Sequence, residues 1–192
     1  IMDASTGTSK HRTGVPGLDE ILLGGLATGR VFLLEGSPGT GKTTMALRFL
    51  LEGLREGQRG LYVTLSETAH ELRHTAEAHG WNLDDDRIEI FGVVPPESLL
   101  DADQQQSLLY SSDLELGETV KLIFQAVERS KAQRIVLDSL SEIRLLAQGS
   151  LRYRRQILAM KHYFARHGAT VLMLDDLTTD VLDKTVHSVA HG

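Results

Sequence analysis

The 192-residue sequence predicts an α/β domain with a mostly parallel β-sheet covered by helices on both faces. Two observations carry this. Short apolar runs of strand length alternate along the chain with longer stretches of helical period, the order that builds βαβ units. Each strand run is also almost continuously apolar, as expected where both faces of a strand are buried, rather than alternating as in a sheet wetted on one side.

Residues 1–10 are small and polar and are expected to form a disordered or non-native tail, with one domain occupying 11–192. Thr13 to Leu26 mixes turn formers with a short helix-like piece, Leu18 to Leu23, that ends at Gly24-Gly25. Val31 to Leu34 is the first core strand, and Thr44 to Glu56 is a helix with Gly57 at its end. Gly60 to Leu65 is a second strand. A helix over Thr68 to His79 carries the stripe Ala69, Leu72, Ala76, and Arg87 to Phe91 is a short strand. Gly92 to Ser112 contains Pro95-Pro96, has no period and is expected to be a long loop. Leu116, Val120, Ile123, Phe124 and Val127 mark one face of a further helix, followed by the strand Arg134 to Asp138. Ser139 to Gly149 is expected to be a loop with about one helical turn. Tyr153, Ile157, Met160 and Phe164 define the next helix, closed by Gly168, and Thr170 to Leu174 is the last strand.

Composition bounds the function. The apolar share of 41% suits one buried core, and no apolar run approaches the length of a membrane span. There is no cysteine, which excludes disulfides and thiolate metal sites and is compatible with a reducing cytoplasm. The net charge of −6 opposes a broad nucleic-acid surface. The one basic cluster, Arg152, Arg154 and Arg155 with Lys161, has the spacing of a solvated helix face.

The most specific motif lies between the first strand and its helix. Gly36-Ser37-Pro38-Gly39-Thr40-Gly41-Lys42-Thr43 fits G-x-x-x-x-G-K-[ST], with the strand and helix flanks that the pattern requires. A triphosphate needs several donors at once, and glycines let the backbone curl so that its N–H groups supply them at a helix N-terminus. Residues 36 to 44, Thr44 included, form the expected nucleotide-binding set. Lys42 is placed to reach the β- and γ-phosphates and Thr43 to put its hydroxyl on Mg²⁺. Asp138, at the carboxyl end of an apolar strand, is the expected second magnesium ligand, since ligand crevices of open parallel sheets lie there.

Hydrolysis also needs an oriented water. Glu67, just past the second strand, is the candidate base by position, with a helix-start acid as the competing reading. Lys42 completes the expected catalytic pair. Asp175-Asp176, after the last strand, either senses the γ-phosphate region or faces solvent. His70-Glu71-Leu72-Arg73-His74 formally matches H-E-x-x-H, but no third ligand is recognisable and both histidines lie off the apolar stripe. A solvated helix face accounts for it.

Several segments together resemble the RecA-fold ATPases of the circadian-clock KaiC type, which are close to RadA. They are Arg12 to Glu20 (RTGVPGLDE), Gly24-Gly25-Leu26, the loop Gly36 to Thr43, Tyr62 to Thr68 (YVTLSET), Gly80 to Leu83 (GWNL) and Asp138-Ser139. The resemblance covers nearly the whole chain from His11. It implies a RecA-like P-loop domain that binds Mg·ATP between subunits of a ring, commonly a hexamer, in a regulatory or signalling role. It also implies two departures. The family's Glu-Glu pair after the second strand is here Ser66-Glu67, and the first member is the one generally regarded as catalytic, so slow turnover is expected. Further C-terminal strands, with a Lys/Arg segment reaching a neighbour's nucleotide, are expected beyond His191-Gly192. Two rival readings stay open: a nucleotide-dependent binding switch without appreciable turnover, and a RecA- or RadA-like DNA-recombination ATPase, which the charge and the lack of a cysteine zinc ribbon oppose. No Asn-Lys-x-Asp guanine-reading pattern is present, which leans the base toward adenine.

Overall fold

The computed structural model describes residues 9–93, 112–177 and 190–191. Its centre is a five-stranded, all-parallel sheet. The strands are β3 (Val31–Gly36), β4 (Gly60–Thr64), β5 (Ile88–Gly92), β6 (Arg134–Asp138) and β7 (Thr170–Asp176), arranged in the order β3-β7-β6-β4-β5. Among the described residues, the last strand in sequence is therefore inserted between the first core strand and β6. A separate two-residue pairing joins β1 (Lys10–His11) to β2 (Leu26–Ala27) in antiparallel register, so Lys10, assigned to the tail by the sequence, belongs to the folded part.

Alternation along the strands divides the core. Leu61, Val63, Ile135, Leu137, Val171 and Met173 face helices α4 (Ser112–Ser130), α5 (Leu140–Ala147) and α6 (Ser150–His167). Tyr62, Val136, Leu172 and Leu174 face α2 (Lys42–Arg55) and α3 (Ala69–Ala78). Both faces are thus closed, which is why the strand sequences read as unbroken apolar runs. A short helix, α1 (Pro16–Ile21), starts with Pro at its first position, where a missing N–H costs nothing. It lies two residues earlier than the apolar spacing suggests.

Ser139 to Gly149 differs from expectation: it contains the eight-residue helix α5, not a loop with one turn. Leu140, Ile143 and Ala147 are its buried face, spaced three and four. The expected loop beyond Gly92 falls mostly on residues 94–111, outside the described residues. Among the described residues, no helix is long and apolar enough to cross a membrane.

Candidate functional site

The carboxyl ends of four strands and the start of α2 converge on one crevice. The loop after β3 turns through Gly39 (φ 80°) and Gly41 (φ 90°), conformations that side-chain-bearing residues rarely adopt, and Gly41 caps α2 in the left-handed region. Gly36 is required for a different reason: a Cβ there would lie 2.6 Å from Thr40 Oγ1. Thr40 in turn donates its hydroxyl to the Ser37 carbonyl at 2.8 Å, which tightens the turn. Ser37, Pro38 and Gly39 form its exposed crest.

Lys42 folds back over the loop and donates to the carbonyls of Gly36 (2.6 Å) and Ser37 (3.1 Å). Its ammonium also lies 3.0 Å from Asp176 Oδ1. Asp175 and Asp176, adjacent on β7, have separate surroundings. Asp175 is buried and accepts from Ser141 Oγ (2.8 Å) and Arg144 (2.6 Å), which fastens α5 to the sheet. Asp176 alone faces the loop.

Asp138 ends β6 buried in the crevice, and Tyr62 donates its hydroxyl to Asp138 Oδ2 at 2.6 Å. Thr43, one residue into α2, lies near enough to the same phenol to favour its ionised form, against the larger effects of burial and Asp138. The two expected magnesium ligands thus both lie by Tyr62, a residue that sequence reasoning did not single out. Burial raises the Asp138 carboxyl above its usual range, against the Tyr62 hydrogen bond and the nearby charge of Lys42, which both lower it.

Glu67 is the second carboxylate here. Thr64, buried at the end of β4, accepts from the Glu67 N–H at 2.9 Å and donates to the Glu67 carbonyl at 2.7 Å, which turns the chain immediately after the strand. Ser66 is exposed, whereas Glu67 Oε2 is buried with no hydrogen-bond partner among the described residues. Burial, then the charge of Asp138, pushes the Glu67 carboxyl up. Glu71 does other work: it accepts from Thr68 N and Oγ1 in a capping box that starts α3, and His70 and His74 are exposed on that helix.

A cavity of about 700 Å³ opens from the loop away from Asp138. Gly36, Gly41, Lys42 and Thr44 form its loop side, and Gly14, Pro16, Met45, Arg48 and Trp81 its far walls. Its size falls in the range of small-molecule sites. Asp19 builds one wall by accepting from Thr13 N (2.6 Å), Thr13 Oγ1 (2.8 Å) and Gly14 N (3.3 Å). Gly14 is held at φ 80° with the Arg48 carbonyl and Glu52 Cβ each 3.1 Å from where its Cβ would stand. Arg48 donates to the Gly14 carbonyl (3.0 Å) and sets its guanidinium 5.5 Å from the centre of the Trp81 ring. His79 stacks on Trp81 at 4.8 Å and approaches Thr44 Oγ1 at 3.4 Å. The segments around Gly14 and Trp81 stand out in sequence but reveal their shared cavity only in three dimensions.

Comparison with known proteins shows the family of the domain. The family model described as "ATPase: KaiC" matches residues 11–191. A UPF0273 protein of Aeropyrum pernix is 30% identical over 170 residues, covering 87% of this chain and 68% of the relative. The circadian clock protein KaiC3 of Synechocystis is 33% identical over 174 residues, covering 90% of this chain and 34% of the relative. The chain therefore spans about two thirds of the former and one third of the latter. The crystal structure of a KaiC-like protein from Pyrococcus horikoshii superposes with a TM-score of 0.76 at 26% identity, covering 96% of this chain and 79% of that one. Phosphate-loop sequence, the parallel sheet of RecA type and the match along the whole domain agree: the chain belongs to the KaiC family of ATPases.

Proposed function

We propose that this domain binds Mg·ATP in the crevice and hydrolyses it slowly, as part of a regulatory ring. One observation carries the reading: Lys42, Thr43 and Asp138 meet at the open end of the sheet, and the loop that holds them borders a cavity large enough for a nucleoside. The glycine turn and the first N–H groups of α2 take the phosphates. The base lies in the neighbouring cavity, where Trp81, backed by the His79 ring stacked on it, offers an aromatic wall.

The residues present fit a magnesium ion. Thr43 and Asp138 supply hard oxygen donors, the kind that Mg²⁺ takes, and the unpartnered, buried Glu67 Oε2 beside them calls for a donor such as a metal-held water. When bound, the ion neutralises charge on the β- and γ-phosphate oxygens. Tyr62 orients Asp138 for this by holding one carboxylate oxygen. Glu67 orients the attacking water and accepts its proton, and Lys42 neutralises charge on the transferred phosphate.

Titration calorimetry with Mg·ATP tests the reading. Lys42→Ala is expected to weaken binding by about tenfold or more, because charge-assisted contacts to phosphate are among the strong ones. Unchanged affinity would remove the phosphate-loop assignment. Phosphate release under single-turnover conditions separates slow hydrolysis from a pure switch. Sedimentation with and without Mg·ATP tests ring assembly, which needs a closing head-to-tail interface.

A further inference from the structure

Asp176 is fastened to the loop it faces. It stands opposite Gly36 in the β3–β7 register, and the next N–H, of Leu177, donates to the Gly36 carbonyl at 3.1 Å. Behind it, the buried pairing of Asp175 with Ser141 and Arg144 fixes the end of the strand. The Asp176 carboxylate is thus presented to Lys42 Nζ from a rigid support.

An ammonium has three protons to donate. Lys42 has three acceptors: the carbonyls of Gly36 and Ser37 and the Asp176 carboxylate. The two carbonyls belong to the loop backbone and stay with it. The third acceptor is on a side chain that is 45% exposed, against 13% for Lys42, and it can swing into water. A phosphate oxygen that takes a proton from Lys42 has to replace one of the three, and only Asp176 can leave without unmaking the loop.

We propose that Asp176 is a positioning residue for Lys42: it holds the ammonium at the mouth of the loop and is exchanged for an oxygen of the terminal phosphate when nucleoside triphosphate binds. The inference rests on the phosphate-loop reading above. Displaced or not, the carboxylate remains anchored on β7 near that phosphate, so the repulsion between them acts on a triphosphate and hardly on a diphosphate. Asp176 accordingly sets the preference of the site between ATP and ADP and keeps the triphosphate from binding at full strength.

The test is the Kd for Mg·ATP and for Mg·ADP in the unaltered chain, Asp176→Asn, Lys42→Ala and the double variant. Asp176→Asn is expected to tighten Mg·ATP by about fivefold, the size of one partly exposed charge pair, and to leave Mg·ADP nearly unchanged. In the Lys42→Ala background the same substitution should lose the part of its effect that comes from the exchange on Lys42 and keep the part that is direct repulsion. Asp176→Glu keeps the charge and should keep the original preference, and its melting temperature reports on the fold. Equal shifts for both nucleotides, weaker Mg·ATP binding in Asp176→Asn, or an undiminished effect without Lys42 would each overturn the proposal. If Lys42→Ala leaves both nucleotides bound as before, the phosphate-loop reading itself fails, and that result is distinct from the others.

Discussion

Tyr62 and Asp138 meet diagonally across two neighbouring strands. Tyr62 is in register with Val136, and Asp138 with Thr64, yet the phenol reaches two residues along the sheet to donate to Asp138 Oδ2 at 2.6 Å. The diagonal is possible because residues two apart on a strand share a face and a tyrosine is long enough to span the gap. Burial and the adjacent carboxylate hold the phenol protonated far above its ordinary range, so it acts toward Asp138 only as a donor.

Tyr62→Phe should therefore do two separable things. It strips a buried carboxylate of a donor, at a cost to stability of about 1–3 kcal/mol, measurable by urea denaturation. It also removes an interaction that lowers the Asp138 pKa, so the carboxyl moves further up and holds its proton more tightly. Nucleotide titrations at several magnesium concentrations should then show a higher magnesium requirement, reduced again as pH is raised. A magnesium requirement that does not move would disconnect Tyr62 from the metal site.

The pH dependence of stability should carry two opposite signs. Burial raises Asp138 and Glu67, so the folded state holds these protons more tightly than the unfolded state. Their contribution is greatest below the unfolded carboxylate range and is lost as pH rises through the raised values. His11 runs the other way. It is buried near Arg134, and burial first, then that charge, lowers it to about 4. Its contribution is present above the unfolded histidine value and is lost as pH falls toward 4. His11→Gln should flatten the fall in melting temperature between about pH 6.5 and 4. An unaltered slope would show that His11 charges freely in the folded state.

Arg134 is the most consequential buried charge in the domain. Wholly buried at the start of β6, it donates to the carbonyls of Arg12 (2.5 Å) and Phe49 (2.8 Å), to Gln58 Oε1 (2.6 Å) and to Glu56 Oε2 (2.6 Å). It ties the N-terminal segment to the end of α2. Arg134→Met should cost about 3–5 kcal/mol, because it strands a partly buried carboxylate and several acceptors. Gly53 makes room for the guanidinium: a Cβ there would come within 2.6 Å of Arg134 Cδ. Gly53→Ala should therefore destabilise, although alanine is the better helix former by about 1 kcal/mol. Thermal melts of the two single variants and the double variant check this, and a stabilised Gly53→Ala would refute the crowding.

The elements are legible in the sequence because each buries a face of its own, and that leaves a period. Leu61 and Val63 on one side of β4 and Tyr62 on the other are enough to mark a strand covered twice. Strand order is not legible, since placing β7 between β3 and β6 depends on pairings between residues more than a hundred positions apart, such as Val31 with Val171. The helix α5 escapes a reading by period because eight residues give barely two turns. In the site, the loop and Asp138 are visible as residue types at fixed places. The Tyr62 bridge and the Asp176 ion pair are not, because only the folded sheet brings Tyr62 in mid-β4 to Asp138 at the end of β6, and Lys42 at the start of α2 to Asp176 at the end of β7. Arg134 shows the same limit: the strand it heads is legible, but the four partners that let its charge be fully buried come from distant segments.

Turnover should be limited at Ser66. Adjacent residues leaving a strand point in different directions, and here Ser66 is exposed while Glu67 is turned inward beside Asp138. A hydroxyl can orient water but is a poor base near neutral pH, whereas Glu67, its carboxyl pushed up by burial and by Asp138, is the carboxyl group on hand. With Ser66 in place of a carboxylate, general-base assistance of the order of 10²- to 10⁴-fold is reduced to what Glu67 supplies. Ser66→Glu should raise the rate of phosphate release and leave Mg·ATP affinity nearly unchanged, since an exposed carboxylate at this position keeps an ordinary pKa and is ionised at neutral pH. Glu67→Gln should lower the residual rate, and lower it less in the Ser66→Glu background than alone. A flat response to Ser66→Glu, together with abolition of turnover by Glu67→Gln, would make Glu67 the sole base. The account of Ser66 as the limit on turnover would then fail.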